Sequence, residues 1–130
     1  MAMTTSKVSD AHGCHPKSPL SRRRLIADPD ADRVALLFKM LGHPTRLRII
    51  HALVRCPDLG VTDLAEALGM TVQAVSNQLQ RLAGEGLVES RREGIRVLYR
   101  VIDPCVTVLI ERAWCHVEEY QGERGPSAHV

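Results

Sequence analysis

The side chains best suited to chemistry lie near the C-terminal end of this 130-residue chain. Cys105 and His116 offer sulfur and imidazole nitrogen, the donors that transition metals prefer. Eleven residues separate them. On a helix turning about 100° per residue, eleven steps return to within about 20°, so both lie on one stripe. Glu119, three residues beyond His116, falls near the same stripe. Yet eleven residues span about 16 Å of helix axis, and metal–ligand bonds measure only about 2.0–2.3 Å. One helix cannot bring both donors to one ion. Two antiparallel copies can, and the spacing predicts a shared site with Asp103 and Cys105 from one subunit and His116 and Glu119 from the other. Symmetry makes two such sites per dimer. Val106, Leu109, Ile110, Ala113 and Val117 form an adjoining apolar stripe, the expected dimer seam.

The remaining thiols and imidazoles are read differently. Cys115 points about 80° away from Cys105 on the helical wheel and reads as a buried packing thiol. Alternatively, Cys14, flanked by His12 and His15 on an N-terminal arm, folds over the site. Cys14, Cys105 and Cys115 then make a sulfur-rich site for cadmium, lead or mercury. Cys56, beside Pro57, reads as a structural or incidental thiol, and His43 and His51 as capping or surface residues. No apolar run is long enough to span a membrane and no signal-like segment opens the chain, so a cytoplasmic protein with reduced cysteines is expected.

The elements that must position these groups follow from pattern. Residues 1–29 are polar and read as a flexible arm. Asp32–Leu41 is helical, stopped by Gly42. His43-Pro44-Thr45 breaks the chain, and Arg46–Val54 forms a second helix with Leu47, Ile50 and Val54 on one face. Pro57–Gly60 is a loop. Thr62 caps a short helix ending at Leu68, Gly69 supplies its positive-φ stop, and Thr71 caps the next helix, Val72 to Ala83. Helix, glycine turn, helix is a helix-turn-helix. Leu87–Arg92 and Ile95–Val101, around Glu93-Gly94, alternate as a β-hairpin. Asp103 and Pro104 then start a last helix that runs to about Tyr120. The expected fold is mainly α with a small β-hairpin wing, over residues 30–121, followed by a flexible tail, 122–130.

Composition fits that fold. Hydrophobic residues are 45% and aromatics 3%, so the core must be aliphatic. The net charge of +2 is unevenly spread: Arg22-Arg23-Arg24 and the stretch Arg91 to Arg100 are basic, while the tail carries Glu111, Glu118, Glu119 and Glu123. A basic face toward phosphates is implied. On the helix Val72–Ala83, Val72, Val75, Leu79 and Leu82 share one face. Gln73, Asn77, Gln80 and Arg81 lie opposite, and amide side chains suit bidentate contact with adenine in the major groove of double-stranded DNA. Thr71 and Ser76 sit near the N-terminal end, where such helices approach bases. Arg91, Arg92 and Arg96 on the hairpin reach for phosphates or the minor groove. No phosphate-binding glycine loop and no nucleophile–base–acid set points to an enzyme.

These residues in this order resemble the ArsR/SmtB family of bacterial metal-sensing repressors. The resemblance is carried by Leu41-Gly-His-Pro-Thr-Arg-Leu-Arg-Ile49, Val61-Thr-Asp-Leu-Ala-Glu-Ala-Leu-Gly69 and Ala74-Val-Ser-Asn-Gln-Leu79. It continues through Leu82 to Val88 and Gly94-Ile-Arg-Val-Leu-Tyr99. It implies a winged helix-turn-helix homodimer joined through its first and last helices, which releases operator DNA when a metal binds. Asn77 stands where the family often has His. Asp103, Cys105, His116 and Glu119 match the zinc-sensing pattern Asp-x-His…His-x-x-Glu, with Cys105 in place of its first His. A thiolate there favours zinc, cadmium, lead or mercury as effector over magnesium or manganese. Val61-Thr62-Asp63 replaces the Cys-Val-Cys of the arsenic-sensing arrangement, which is therefore not expected. The rival expectation is a repressor of the same fold that senses oxidants or persulfides through Cys105 or Cys115.

Overall fold

The computed structural model describes residues 18–124. Helix α1 spans Asp28–Leu41, with Pro29 in its first turn beside Asp28 and Asp30. Proline without a needed N–H, and carboxylates facing the positive helix end, favour that start. It lies four residues earlier than the apolar pattern predicts. Gly42 closes the helix, its amide donating to the Phe38 carbonyl at 2.8 Å.

Helix α2, Pro44–Arg55, begins two residues before the expected Arg46. His43 caps it, Nδ1 accepting from the Thr45 amide at 3.2 Å. Pro44 therefore opens this helix rather than breaking the chain. Its buried face is Ile49, Ile50 and Leu53, while Val54 is exposed.

Helix α3, Val61–Leu68, and helix α4, Val72–Gly84, form the helix-turn-helix. The expected cap on Thr62 is not made. The helix is capped two residues earlier, where the Gly60 amide donates to Asp63 Oδ2 at 3.4 Å. Gly69 adopts φ 66°, and the Met70 amide reaches back to the Ala65 carbonyl at 2.9 Å. Thr71 caps α4 as expected, its hydroxyl accepting from the Ala74 amide at 3.1 Å.

Strand β1 is the dipeptide Leu59–Gly60, within the expected loop; β2 is Val88–Glu93 and β3 is Arg96–Val101. The antiparallel sheet has the order β1-β3-β2, with Leu59 opposite Tyr99 and Val88 opposite Val101. The hairpin turn is Gly94-Ile95, one residue later than expected, with Gly94 at φ 67°. Val75, Leu79 and Leu82 of α4 are fully buried, as are Ile49, Ile50 and Leu53 of α2 and Leu64 of α3. Leu87, Val88 and Leu98 extend this aliphatic core into the sheet. Each such side chain contributes about 1.5–3 kcal/mol by burial. No polar side chain is buried among the described residues.

The winged part, up to Asp103, is one compact unit, and the last helix, α5 at Pro104–Arg124, belongs to another. Within α5 Val106 is buried, whereas Glu111–Gln121 is exposed throughout.

Candidate nucleic-acid interface and effector site

Helix α4 presents the expected surface. Thr71, Gln73, Asn77, Gln80 and Arg81 are exposed and Ser76 is half-buried. Val72 is half-exposed, not part of the buried face, because it sits in the first turn at the edge of the apolar stripe. Gln73 Nε2 donates to Asn77 Oδ1 at 3.0 Å, one turn along the helix. That bond does not use the Gln73 carbonyl oxygen or the Asn77 amino group, and both residues are exposed. An acceptor beside a donor matches the N6 and N7 pattern that adenine shows in the major groove.

The wing is more constrained than its sequence suggests. Arg91 bonds Asp58 Oδ1 at 2.6 Å and Glu93 at 3.4 Å. The Arg91 guanidinium is held above its ordinary range, chiefly by the charge of Asp58 and then by Glu93. Arg96 pairs with Asp63, and Arg100 lies 3.8 Å from Asp58. Of the three hairpin arginines expected to meet DNA, only Arg92 makes no ion pair among the described residues. The pairs are solvent-accessible and hence weak enough for phosphate to compete.

Asp58 and Asp63 were not legible as wing-positioning residues. Asp58 has φ 66°, unusual for a residue other than glycine, and its amide donates to the Tyr99 carbonyl at 3.0 Å. The adjacent Pro57-Asp58 turn signal is the only local hint. Nor does pattern reveal the role of Arg46. Its Nε donates to Gln78 Oε1 at 2.8 Å and its Nη1 to the Met40 carbonyl at 3.0 Å. It thereby ties α4 to α2 and to the end of α1.

On α5, the Cys115 thiol donates to Glu119 Oε2 at 3.6 Å. This bond and the carboxylate charge raise the thiol above its ordinary pKa. Cys115 is exposed, so it is not the packing thiol that its wheel position suggests. His116 stacks on Tyr120, ring centroids 5.5 Å apart. Glu119 thus sides with Cys115 rather than with His116. Cys105 is disulfide-bonded, contrary to the expectation that every cysteine is reduced, while Cys56 and Cys115 carry free thiols. A disulfide needs a second sulfur at bonding distance, which spacing within one helix cannot reveal. Among the described residues, no cluster of three or more His, Cys, Asp or Glu side chains is placed to hold a metal. Residues spaced along one helix cannot close a site alone. Cys14, with His12 and His15, lies outside the described residues.

Residues 43–90 match the family model for the bacterial regulatory protein, arsR family. The regulator NmtR of Mycobacterium tuberculosis is 39% identical over 116 residues, covering 87% of this chain and 91% of that protein. The chain belongs to the ArsR family. A transcriptional repressor SmtB homolog from Synechocystis is 39% identical over 89 residues, 68% of this chain and 67% of the homolog. The crystal structure of AntR, an antimony-specific transcriptional repressor, superposes with a TM-score of 0.73 at 47% identity. It covers 85% of this chain and 99% of AntR. Membership makes the protein a winged helix-turn-helix DNA-binding transcriptional regulator and not an enzyme. Among the described residues no helix is long and apolar enough to cross a membrane.

Proposed function

We propose that this protein is a repressor that binds operator DNA as a homodimer in the cytoplasm and releases it on binding a thiophilic metal or metalloid. The observation that carries the reading is the donor chemistry of α5 and the residue before it: Cys105 and Cys115 supply sulfur, and Asp103, His116 and Glu119 supply harder atoms. Sulfur dominates the proposed site. Within a single chain Glu119 is engaged by Cys115 and His116 by Tyr120, whereas the Cys105 sulfur already bonds another sulfur. Reduced, such sulfurs are the soft donors that cadmium, lead and mercury prefer over hard cations. The likeness to an antimony-specific repressor adds trivalent antimony to these candidates. Zinc is the ion for the alternative set Asp103, Cys105, His116 and Glu119.

Neither set closes within one helix, so the site draws on two subunits, with Cys14 as a further sulfur donor. The exposed apolar residues support a dimer through the first and last helices. Val34, Leu36 and Phe38 lie on α1, and Trp114, Val117 and Tyr120 on α5. The dimer sets the spacing of its two α4 helices to successive major grooves. An ion joining the α5 pair stabilises a quaternary arrangement in which that spacing is lost. The coupling free energy is typically about 1–3 kcal/mol.

The test is fluorescence anisotropy of a labelled duplex taken from upstream of the gene. Each ion is titrated onto the complex of wild type, Cys14→Ser, Cys105→Ser, Cys115→Ser, His116→Ala and Glu119→Gln. Release by cadmium, lead, mercury or antimonite that is lost in the serine variants, and kept in H116A and E119Q, supports the sulfur site. Release by zinc, lost in H116A and E119Q, assigns the mixed donor set instead. Binding that no ion reverses removes metal sensing. The disulfide at Cys105 favours one second reading, a thiol switch. In that case hydrogen peroxide or a persulfide changes DNA affinity without metal, and dithiothreitol restores it.

A further inference from the structure

Arg22-Arg23-Arg24 is the longest run of cationic side chains in the sequence. Residues 19–27 precede α1 and all are exposed, including Leu20 at 88% and Leu25 at 94%. The segment is nonetheless shaped: Leu20–Arg22 forms a 3-10 turn, the Arg22 amide bonding the Pro19 carbonyl at 3.0 Å, and Arg23 and Ala27 are extended. None of the three arginines makes an ion pair among the described residues. The carboxylates that follow are otherwise engaged: Asp30 holds Arg33 at 2.7 Å, and Asp28 shares with Asp30 the positive end of α1.

The contrast with the wing is direct. There Arg91, Arg96 and Arg100 each face Asp58 or Asp63. Consecutive exposed guanidinium groups that make no ion pair among the described residues suit a row of oxyanions, because each presents a planar fork of donors. The segment lies in the same compact unit as α4 and the wing, so it accompanies the reading helix. We infer that Arg22, Arg23 and Arg24 form a second, sequence-independent contact with the phosphate backbone of the operator. This rests on the DNA-binding reading. An acidic surface of a second copy of the chain, such as Glu111 and Glu118 on α5, is the competing partner.

The experiment uses the full chain and two labelled duplexes of equal length, one from upstream of the gene and one of mixed sequence. Anisotropy gives the affinity for each between about 50 and 200 mM salt. For R22Q/R23Q/R24Q the plot of log K against log[salt] becomes shallower by about 0.9 for each phosphate no longer neutralised, roughly 3 to 5 for both arms of a dimer. Affinity at low salt falls by at least about tenfold on both duplexes, while preference between them is kept. R22K/R23K/R24K keeps the wild-type slope. An unchanged slope in the glutamine variant, with wild type still preferring the upstream duplex, overturns this inference alone. A lower sedimenting mass with unchanged slope assigns the arginines to the partner subunit and overturns it as well. Failure of wild type to bind either duplex removes the DNA-binding reading and this phosphate clamp with it.

Discussion

The winged unit and helix α5 manage their side chains in opposite ways. In the winged unit, the core residues Ile49, Ile50, Leu53, Leu64, Val75, Leu79, Leu82, Leu87, Val88 and Leu98 are buried to within a few per cent, and the wing cations are mostly paired with carboxylates of the same unit. In α5, everything from Glu111 to Gln121 is exposed, Trp114 and Val117 included. Large apolar side chains clustered in water mark a surface that expects a partner. The first region closes an aliphatic core within one chain, whereas α5 leaves large apolar side chains in water. The winged unit and α5 are therefore expected to respond to different substitutions.

The largest expected effect breaks the first region. Leu79 is fully buried on α4. Leu79→Ala is expected to lower unfolding stability by about 2–5 kcal/mol, from the transfer free energy given up and the cavity left behind. Urea denaturation followed by circular dichroism measures it. A loss well under that range means the core is looser than its burial indicates.

Next comes the seam. Val117→Asp on exposed α5 is expected to leave the urea transition of an isolated subunit intact. It should weaken dimerisation by at least about tenfold, or 1.4 kcal/mol. Sedimentation velocity across a dilution series reads it. A variant that dimerises like wild type removes α5 from the interface and leaves its apolar residues unexplained.

Smaller effects test the ends of α3 and α4, which set the angle of the reading helix. Thr71→Ala removes the hydroxyl that accepts from the Ala74 amide and is expected to cost about 1 kcal/mol. Gly69→Ala is expected to cost a comparable amount for another reason. A Cβ there meets nothing within 4 Å, so the penalty is that of φ 66° alone. Urea midpoints of the two variants test this. If Gly69→Ala is neutral while Thr71→Ala is not, the turn between α3 and α4 relaxes away from left-handed backbone.

The same contrast explains what was legible in the sequence. Gly69, Thr71 and the period of Val75, Leu79 and Leu82 act within a few residues, so a local pattern exposes them. Strand β1 has two residues, too few for any alternation, and exists only because Leu59 and Gly60 find Tyr99 and Leu98. Arg91 and Arg96 look available for DNA in the sequence because their carboxylates lie 33 residues earlier. Asp63 carries a signal that local rules misassign. An acid three residues after Gly60 is a helix-start pattern, but Thr62 is the stronger cap by type. On α5 the wheel places Cys115 about 80° away from Cys105. It gives no hint of exposure, which depends on what covers the helix and not on its own period.

The smallest effect sharpens α5 itself. Glu119 accepts from the Cys115 thiol and raises its pKa, because the bond favours the neutral thiol and the carboxylate charge opposes a nearby thiolate. Alkylation by iodoacetamide follows the thiolate fraction. A raised pKa means less thiolate at pH 8, so Cys115 reacts slowly there. Glu119→Gln removes the charge, lowers the thiol pKa and is expected to speed alkylation of Cys115 a few-fold at pH 8. The difference vanishes at a pH where the thiol is fully ionised in both proteins. Cys56, also exposed and free, serves as the internal clock when the modified peptides are quantified by mass spectrometry. A ratio of Cys115 to Cys56 labelling that does not change in E119Q separates Glu119 from Cys115. Glu119 is then free of Cys115, as the mixed donor set proposed above requires.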